Sequence, residues 1–334
     1  MHLYKLPSID YLRLRFHLKA LNDCDLPAWK GSLLRGAFGH ALRRTVCTMK
    51  QGQLCENCML RAQCAYTRLF ETFVTETPPR FLHGQVSSPR PFIFEPQDKN
   101  KNYQTGEILW FDLILIGEAL NYLPYVIFAV YQMGKQGLGV KRHPFHLETV
   151  YCYQPEKEQK QNDNPNIENN HWQAIYDGAR EMILFAPEPI PLKNTSVNSN
   201  SFDSVMLKFL TQTRLKFKDE LTMEFNFRML VFKMIRRILE LAYFYTDQKD
   251  INWEFHDLLE AADNVEITKR NLHWEDWQRY SNRQKTKMKF GGFIGDIALE
   301  GDLAPFRDLL AYSEVLHVGK GATFGLGKLE IEKK

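Results

Sequence analysis

Four cysteines lie close together in the first fifth of the chain, and their spacing is typical of a metal site. They are Cys47, Cys55, Cys58 and Cys64, in the pattern Cys-x7-Cys-x2-Cys-x5-Cys. Thiolates at these spacings can close around one tetrahedral Zn²⁺, and an Fe–S cluster uses the same type of ligand. A catalytic zinc normally keeps an open position and nitrogen or oxygen ligands. We therefore predict a structural zinc, with an Fe–S cluster or four separate thiols as the alternatives.

Histidine is the side chain best suited to acid–base chemistry near neutral pH. Two of the ten histidines have cationic neighbours that are compatible with a reaction at phosphate. His40 precedes Arg43 and Arg44. His317 stands just ahead of Lys320. A structural role is the alternative for each, and the sequence has no Ser/His/Asp, HExxH or paired-carboxylate motif.

A basic, glycine-rich segment lies near the C-terminus. It reads Gly319-Lys-Gly321-Ala-Thr-Phe324-Gly325-Leu-Gly327-Lys328. Loops of this kind expose backbone N–H groups and let a phosphate oxygen come close. The segment fits neither the P-loop nor the dinucleotide-binding formula, and it lies between a helix and a strand, the reverse of their order. We therefore predict that it binds a nucleic-acid backbone rather than ATP or NAD.

A similar loop stands in the middle of the chain. Gly134-Lys-Gln-Gly137-Leu-Gly139-Val-Lys-Arg142 also follows a predicted helix and precedes a predicted strand. One glycine-rich loop is weak evidence of anything, because turns are rich in glycine. Two such loops at matching places indicate an internal duplication of one fold.

Arginines follow the predicted first strand and first helix in patterns typical of one face. In the strand, apolar residues alternate with basic ones, which include Arg13 and Arg15. On the helix, Arg35 and Arg43 lie opposite the apolar stripe and Arg44 borders it. For the strand, a phosphate-binding surface and a solvated sheet face are equally compatible with the pattern.

A third basic stretch is interleaved with aromatic residues. It contains Arg279, Tyr280 and Arg283 and is flanked by Trp277 and Phe290. Cations among aromatic side chains suit single-stranded RNA, whose bases can stack on the rings. A solvated hairpin is the alternative.

The elements that must position these residues alternate in a regular order. The first half is predicted as strand 12–20, helix 28–46, strands 92–95 and 108–117, helix 120–133 and strand 145–151. This βαββαβ order is that of the ferredoxin-like fold. The second half is predicted as strands 181–185 and 204–210, helices 225–245 and 253–262, a strand region over 271–297, helix 303–316 and strand 329–331. The resulting domains are 1–153, with the cysteine insertion at 47–64, and 176–334, with the glycine-rich loop at 319–327. A polar linker or loop over 154–175 separates them.

Composition is that of a globular protein. The chain has 334 residues, of which 44% are hydrophobic and 25% charged, and its net charge is +3. No apolar run approaches the roughly 18 residues of a membrane helix, and no signal-peptide core is present. The expected location is the cytoplasm, with no membrane partner.

These residues resemble a known family. Leu316-His-Val-Gly-Lys-Gly-Ala-Thr-Phe-Gly-Leu-Gly-Lys328 is similar to the C-terminal glycine-rich signature of the CRISPR-associated repeat RNA endoribonucleases of the RAMP superfamily. Further similar features are Arg35-Gly-Ala-Phe-Gly39, the four-cysteine insertion, Gly137-Leu-Gly-Val140, Arg279-Tyr-Ser-Asn-Arg-Gln284 and Gly291-Gly-Phe-Ile-Gly295. The resemblance covers nearly the whole chain and is weakest over 155–200.

The resemblance implies an α+β fold of tandem ferredoxin-like (RRM-like) domains and metal-independent cleavage of precursor CRISPR RNA within its repeats. The 2′-OH would attack the adjacent phosphate and leave a 2′,3′-cyclic phosphate, or its opened form, and a 5′-OH. His40 matches a catalytic histidine on the helix after the first strand. His317 would be a second acid–base group, and Lys320 or Arg44 would stabilise the phosphorane.

The same resemblance leaves a second function open. A non-catalytic RAMP subunit that binds repeat-derived RNA inside a CRISPR effector complex would share the fold and the glycine-rich loops. In either case the expected partners are CRISPR repeat RNA and effector-complex subunits, and a homodimer stays open.

Overall fold

The computed structural model divides into two compact units. It describes residues 4–49, 52–74, 79–82, 85–97, 99–155, 171–194, 202–276, 278–281, 286–289 and 291–333, the segments 278–281 and 286–289 by their backbone alone. The N-terminal unit is Asp10–Pro191, and the C-terminal unit is Leu192–Lys334 together with Met1–Ile9. Arg283 and most of the predicted linker lie outside the described residues.

The N-terminal unit is a mixed fold built on one antiparallel sheet. Its elements are β1 (Ile9–Ala20), β2 (Cys24–Asp25), α1 (Gly31–Val46), β3 (Phe92–Pro96), β4 (Asn102–Tyr103), β5 (Ile108–Ile116), α2 (Leu123–Gln136), β6 (Phe145–Tyr153), β7 (Trp172–Asp177), β8 (Met182–Ile183) and β9 (Ile190–Leu192). The sheet order is β3-β5-β1-β6-β7-β8. The first four of these strands form a βαββαβ unit with its first and third strands in the middle, as in ferredoxin-like domains.

The C-terminal unit repeats that arrangement. Its elements are β10 (Ser204–Thr213), β11 (Leu215–Phe217), β12 (Glu220–Thr222), α3 (Phe227–Tyr245), α4 (His256–Ala262), β13 (Glu266–Glu275), β14 (Gln278–Ser281), β15 (Thr286–Lys289), β16 (Gly292–Glu300), α5 (Arg307–Leu316) and β17 (Leu329–Lys333). The main sheet has the order β13-β16-β10-β17. Both sheets therefore place equivalent strands in equivalent positions, which confirms the predicted tandem ferredoxin-like fold.

In strand β1, the alternation of apolar and basic residues determines which side of the sheet is buried. Leu12, Leu14, Phe16, Leu18 and Ala20 are buried against the helices, and the basic residues between them point to the other side. Burying each of the larger apolar side chains contributes about 1.5–3 kcal/mol, which a one-residue slip in register would lose. In α1, a Cβ on Gly39 would lie 2.3 Å from Cζ of Phe70. The ring of Phe70 therefore packs against the helix at the position where glycine leaves room for it.

Helix α3 supplies the centre of the C-terminal core. Its N-cap, Asn226, accepts a hydrogen bond from the Met229 backbone N–H at 2.9 Å, which satisfies one of the free donors of the first turn. One face of the helix is fully buried, and it comprises Phe227, Leu230, Val231, Met234, Ile235, Ile238, Leu239, Leu241 and Ala242.

The division between the units differs from the boundary expected from the sequence. Strand β7 pairs with β6, and β8 pairs with β7, so the N-terminal sheet continues beyond the polar stretch. The strand predicted at 181–185 is therefore short, Met182–Ile183, and belongs to the N-terminal unit. Within the described residues, none of the helices combines the length and the apolar character needed to cross a membrane.

Candidate nucleic-acid interface

The C-terminal glycine-rich loop joins α5 to β17 and is tied to the end of β10 through its backbone. Its ends close on each other, since the Val318 N–H donates to Gly327 O at 2.9 Å. The Lys320 N–H donates to Arg214 O at 3.0 Å, and the Gly327 N–H donates to Gln212 O at 3.2 Å. These main-chain bonds fix where the loop lies relative to its own sheet.

Gly327 shows why the loop needs glycine. Its φ is +72°, and a Cβ there would lie 1.8 Å from the carbonyl oxygen of Val318. Gly319, Gly321 and Gly325 also have positive φ. All the loop residues predicted to bind RNA are thereby gathered in one compact turn, with Phe324 and Lys328 partly exposed.

Lys328 and Thr211 close the C-terminal side of this turn. The Lys328 N–H donates to Thr211 Oγ1 at 2.9 Å, and that hydroxyl donates to Gly325 O at 2.8 Å. Hydrogen bonds with Thr211, Gln212 and Arg214 thus hold both sides of the loop.

His317 lies beneath the loop rather than on its surface. Its side chain is 1% exposed, and its backbone φ of +59° is unusual for a residue with a side chain. Nδ1 lies 3.0 Å from Leu326 O. Because a carbonyl oxygen only accepts hydrogen bonds, Nδ1 carries the proton in this contact. The predicted second acid–base group therefore bonds to the main chain of the loop.

Arg237 of α3 supports the same junction from the other side. Its Nε donates to Leu316 O at 2.6 Å, at the end of α5. Burial lowers the pKa of its guanidinium to about 10, with Glu240 acting in the opposite direction. The contact fixes the point at which α5 gives way to the glycine-rich loop.

Lys320 lies in a group of cations that come from distant parts of the sequence. We call Arg214, Lys216, Lys233 and Lys320 the cationic patch. Burial lowers the pKa of Lys320, and the charges of Lys216 and Arg214 lower it further. Burial also lowers the pKa of Lys233, followed by the charges of Arg236, Lys320 and Lys216.

Asp219 and Glu240 supply negative charge near the patch. Asp219 pairs with Lys216 at 2.5 Å and partly offsets Lys320. Phosphate groups of a polyanion would relieve the repulsion between like charges held this close, so the patch is a candidate site for a polyanion. Sequence reasoning missed Arg214, Lys216 and Lys233, since strand β10, hairpin β11–β12 and helix α3 meet only in the fold. The basic pair Arg214 and Lys216 at the end of a strand was the available signal.

The N-terminal glycine-rich loop is a simpler turn. Leu138 and His143 form an isolated antiparallel bridge, with both N–H···O distances 2.8 Å. Val140 projects fully into solvent at its tip, and Lys141 pairs with Asp25 at 2.7 Å. The two loops occupy matching places in the two units but differ in length and in their attachment.

Helix α1 carries the predicted catalytic His40 on its exposed surface. Arg44 is one turn further along and also exposed, so the two side chains are neighbours on the helix. Arg35 stacks on the ring of Phe70 at 4.5 Å, and Arg43 donates to Gln53 O at 2.8 Å. His40 and Arg44 are thus the accessible members of the predicted set on α1.

The predicted arginines of β1 are engaged within their own sheet. Arg13 pairs with Glu95 of β3, and Arg15 pairs with Asp112 of β5 through Nε and Oδ1 at 2.8 Å. Lys19 lies 3.4 Å from Glu148 of β6. The face that reads as positive along β1 is therefore offset by carboxylates from neighbouring strands.

The four cysteines of the predicted zinc site differ in their surroundings. Cys47 is exposed, whereas Cys55, Cys58 and Cys64 are partly buried. Burial raises the pKa of the Cys55 thiol, the Arg43 charge opposes this, and Cys47 and Cys64 are close enough to contribute. Across the part of the chain that the structure describes, no three His, Cys, Asp or Glu side chains are gathered in a metal-binding arrangement. Four thiolates suit zinc chemically, and the zinc site stays a prediction.

The basic aromatic segment forms the antiparallel hairpin β14–β15, in which Arg279 pairs with Met288 and Tyr280 with Lys287 along the backbone. A hairpin was the alternative interpretation of this stretch. Its predicted contact with RNA stays a prediction, and Arg283 lies outside the described residues.

Two family models match the chain, one mainly in each of the two compact units. Residues 6–181 match the AF_1859_N family, described as an N-terminal domain. Residues 207–329 match the family described as CRISPR-associated endoribonuclease Cas6. An uncharacterized protein of Archaeoglobus fulgidus is 28% identical over 131 residues, which are 39% of this chain. The match spans 43% of the length of that curated relative.

Solved Cas6 structures share the fold along nearly the whole chain. A Cas6 (TTHB231) product complex has a TM-score of 0.55 at 14% identity and covers 96% of this chain and 100% of its own. Thermus thermophilus Cas6 (TTHB231) has a TM-score of 0.51 at 14% identity, over 98% and 99% of the two chains. A partial Cas6-RT-Cas1–Cas2 complex has a TM-score of 0.54 at 12% identity, over 98% of this chain and 47% of its own.

Proposed function

We propose that this chain, whose residues 207–329 match the family of the CRISPR-associated endoribonuclease Cas6, cleaves precursor CRISPR RNA within its repeats. One observation carries the proposal. The segment that matches the Cas6 family, residues 207–329, contains both the glycine-rich loop and the cationic patch. The chemistry expected of a polyanion-binding surface and the family assignment therefore fall on the same residues.

The proposed reaction is an internal transesterification. A base removes the proton of the 2′-OH, the 2′-oxygen bonds to the adjacent phosphorus, and the bond to the 5′-oxygen breaks. An acid protonates that oxygen, so the products are a 2′,3′-cyclic phosphate, or its hydrolysed form, and a 5′-OH. The cyclic phosphate takes its atoms from the RNA, the acid supplies the proton of the 5′-OH, and the base takes up the proton of the 2′-OH. Opening of the cyclic phosphate consumes one water, and the proposed step uses no metal ion.

His40 and Lys320 are the residues proposed to act directly. His40 is exposed on α1, where an imidazole can exchange protons with RNA, and Lys320 is exposed on the glycine-rich loop. An ammonium group there would stabilise the extra charge of the phosphorane. The buried position of His317 and its bond to Leu326 O favour a positioning role over contact with RNA.

The alternative is a non-catalytic RAMP subunit that binds repeat-derived RNA in an effector complex. It would need the cationic patch but not an exposed histidine. The presence of His40 beside Arg44 on one surface of α1 favours the nuclease.

A labelled repeat RNA from the protein's own locus tests the proposal. The RNA is incubated with purified protein in EDTA, beside a copy with one 2′-deoxy substitution at the mapped cut. We expect cleavage that the 2′-deoxy group blocks. Tight binding with neither RNA cleaved would instead support the non-catalytic subunit.

Partners beyond the RNA are part of the same proposal. We expect transfer of the product to effector-complex subunits, and homodimer formation is tested by light scattering on the eluting protein. A structural zinc in the cysteine segment is proposed on the chemistry of its four thiols, and its function would be to hold the chain between α1 and β3.

A further inference from the structure

The outer face of the N-terminal sheet carries a group of aromatic side chains in mutual contact. Its members, which we call the aromatic face, are half-buried and come from β1, β5, β6 and the start of β7: His17, Trp110, Tyr151, Tyr153, His171 and Trp172. Ring centroids are 5.1 Å apart for His17 and Tyr151 and 5.4 Å apart for Tyr153 and Trp172. The register places Tyr151 opposite Arg15 and Tyr153 opposite Trp172, so these side chains point to one side.

Arg15 lies at the centre of this face and is stacked rather than extended into solvent. Its guanidinium carbon is 4.4 Å from the centre of the Trp110 ring and 4.0 Å from that of the Trp172 ring. Nε and Nη2 donate to the two oxygens of Asp112 at 2.8 and 3.1 Å. The guanidinium is therefore fixed in a plane between two indoles.

The charges on the face cancel. Arg13 and Arg15 are matched by Glu95 and Asp112, whose exposed fractions are 2% and 3%. Burial lowers the pKa of His17, and the charge of Arg15 lowers it further against the opposing charge of Glu148, so both effects favour the neutral imidazole. Phosphate groups would add little binding free energy at a neutral surface, since their attraction to a protein depends on uncompensated cations.

Stacked rings offer a different kind of contact. Aromatic side chains and arginine planes bind unpaired bases through their π faces, largely independently of sequence. A protein partner is less well matched, because ion pairs such as Lys19–Glu148 interrupt the apolar surface. Each base of a single strand needs only one aromatic ring to stack on, so interruptions of the apolar surface matter less.

We propose that the aromatic face binds unpaired bases of single-stranded RNA by stacking. It is a second RNA contact, distinct in chemistry from the cationic patch, which takes phosphates. The inference rests on the proposed function only in taking RNA as the ligand; it does not require cleavage.

The test combines a change in the protein with a change in the RNA. Tyr151→Ala removes one ring and leaves Arg15 between its two indoles. Tyr151→Phe keeps the ring and is the first control. Tyr125→Ala is the second control, because it removes an aromatic side chain that is 48% exposed on α2, outside this face. Binding of an unstructured repeat-derived RNA is measured by fluorescence anisotropy, beside copies that carry one abasic site each. Thermal unfolding confirms that each variant is folded, with His17→Ala as a second variant of the face.

We expect Tyr151→Ala to weaken binding about 5- to 100-fold, as loss of one stacked base implies. Tyr151→Phe and Tyr125→Ala should bind as the wild type does. At least one abasic site should weaken binding to the wild type but not to Tyr151→Ala, and this difference should not depend on salt.

Equal affinity of all variants for every RNA would overturn the proposal and leave the face to a protein partner. A loss that is the same with and without abasic sites would also overturn it. Repeat cleavage is scored separately. Base-dependent binding without cleavage would refute only the nuclease, and cleavage with no effect of the face variants would refute only this inference.

Discussion

Neutralising Lys320 should stabilise the free protein while weakening its complex with RNA. In the folded chain its ammonium group is repelled by Lys216, Arg214 and Lys233 and attracted by Asp219. Screened surface pairs contribute about 0.3 kcal/mol each, so three repulsions less one attraction leave about 0.6 kcal/mol of destabilisation. Lys320→Met removes that repulsion and retains most of the side-chain volume. The free energy of unfolding should therefore rise by about 0.6 kcal/mol.

The direction of the pKa shift of Lys320 determines how the stability difference between variant and wild type changes with pH. The folded state lowers the pKa of Lys320 below its ordinary 10.5, so the repulsion is fully present at neutral pH. It is lost as the pH rises through the folded pKa and towards 10.5, because the ammonium group is then neutral in both states. The stability difference between the variant and the wild type should narrow over the same range.

RNA binding should respond in the opposite direction. Loss of one phosphate contact lowers the dependence of log K on log salt by about 0.7 for a single strand. The assay measures urea unfolding of the free protein and RNA affinity at several salt concentrations. Lys193→Met, which changes an exposed lysine outside the patch, is the control. A variant that is less stable than the wild type, or one that binds RNA with an unchanged salt dependence, would refute the reasoning that the patch is a repulsive site for a polyanion.

Three further outcomes follow from the site. His40→Ala should slow single-turnover cleavage about 100-fold or more with RNA binding intact, since acid–base groups contribute at least that much; near-wild-type rates would remove it from the mechanism. Gly327→Ala should lower the free energy of unfolding by about 2–4 kcal/mol, because positive φ and the contact of its Cβ with Val318 O add together. Gly36→Ala, with nothing within 4 Å of its Cβ, should be neutral or stabilising in the same melting experiment. Elemental analysis should find about one zinc per chain, lost in Cys58→Ser; iron with a visible charge-transfer band would contradict the zinc assignment.

Periodic patterns were enough to predict the ferredoxin-like units. The alternation in β1 and the apolar stripe of α3 each record burial against a partner that any compact fold must supply. The two glycine-rich loops were predictable as well, because positive φ at positions such as Gly327 restricts the residue type strongly. These features depend on residues that are close together in the chain, so the sequence alone is enough to predict them.

Features that depend on distant partners could not be predicted in this way. Arg13 and Arg15 look like an exposed cationic face until β3 and β5 bring Glu95 and Asp112 beside them. The cationic patch was missed for the same reason. His317 looks accessible beside a basic loop, but the direction of its side chain depends on how that loop folds back over it.

The boundary between the units illustrates a different limit. A polar stretch is typical of a linker between domains, yet pairing of β7 with β6 shows that the N-terminal sheet continues after it. Composition reports that residues are solvated and carries no information on which strands they connect.

The main-chain attachment of the C-terminal glycine-rich loop has a consequence for engineering. The bonds from the loop to Gln212 and Arg214 join main-chain atoms only, so a new side chain at the partly exposed Thr323 leaves both bonds in place. Thr323 can therefore be varied while the frame of the loop is kept. A set of variants at this one position would show whether the loop can be adapted to other RNA sequences without rebuilding its backbone.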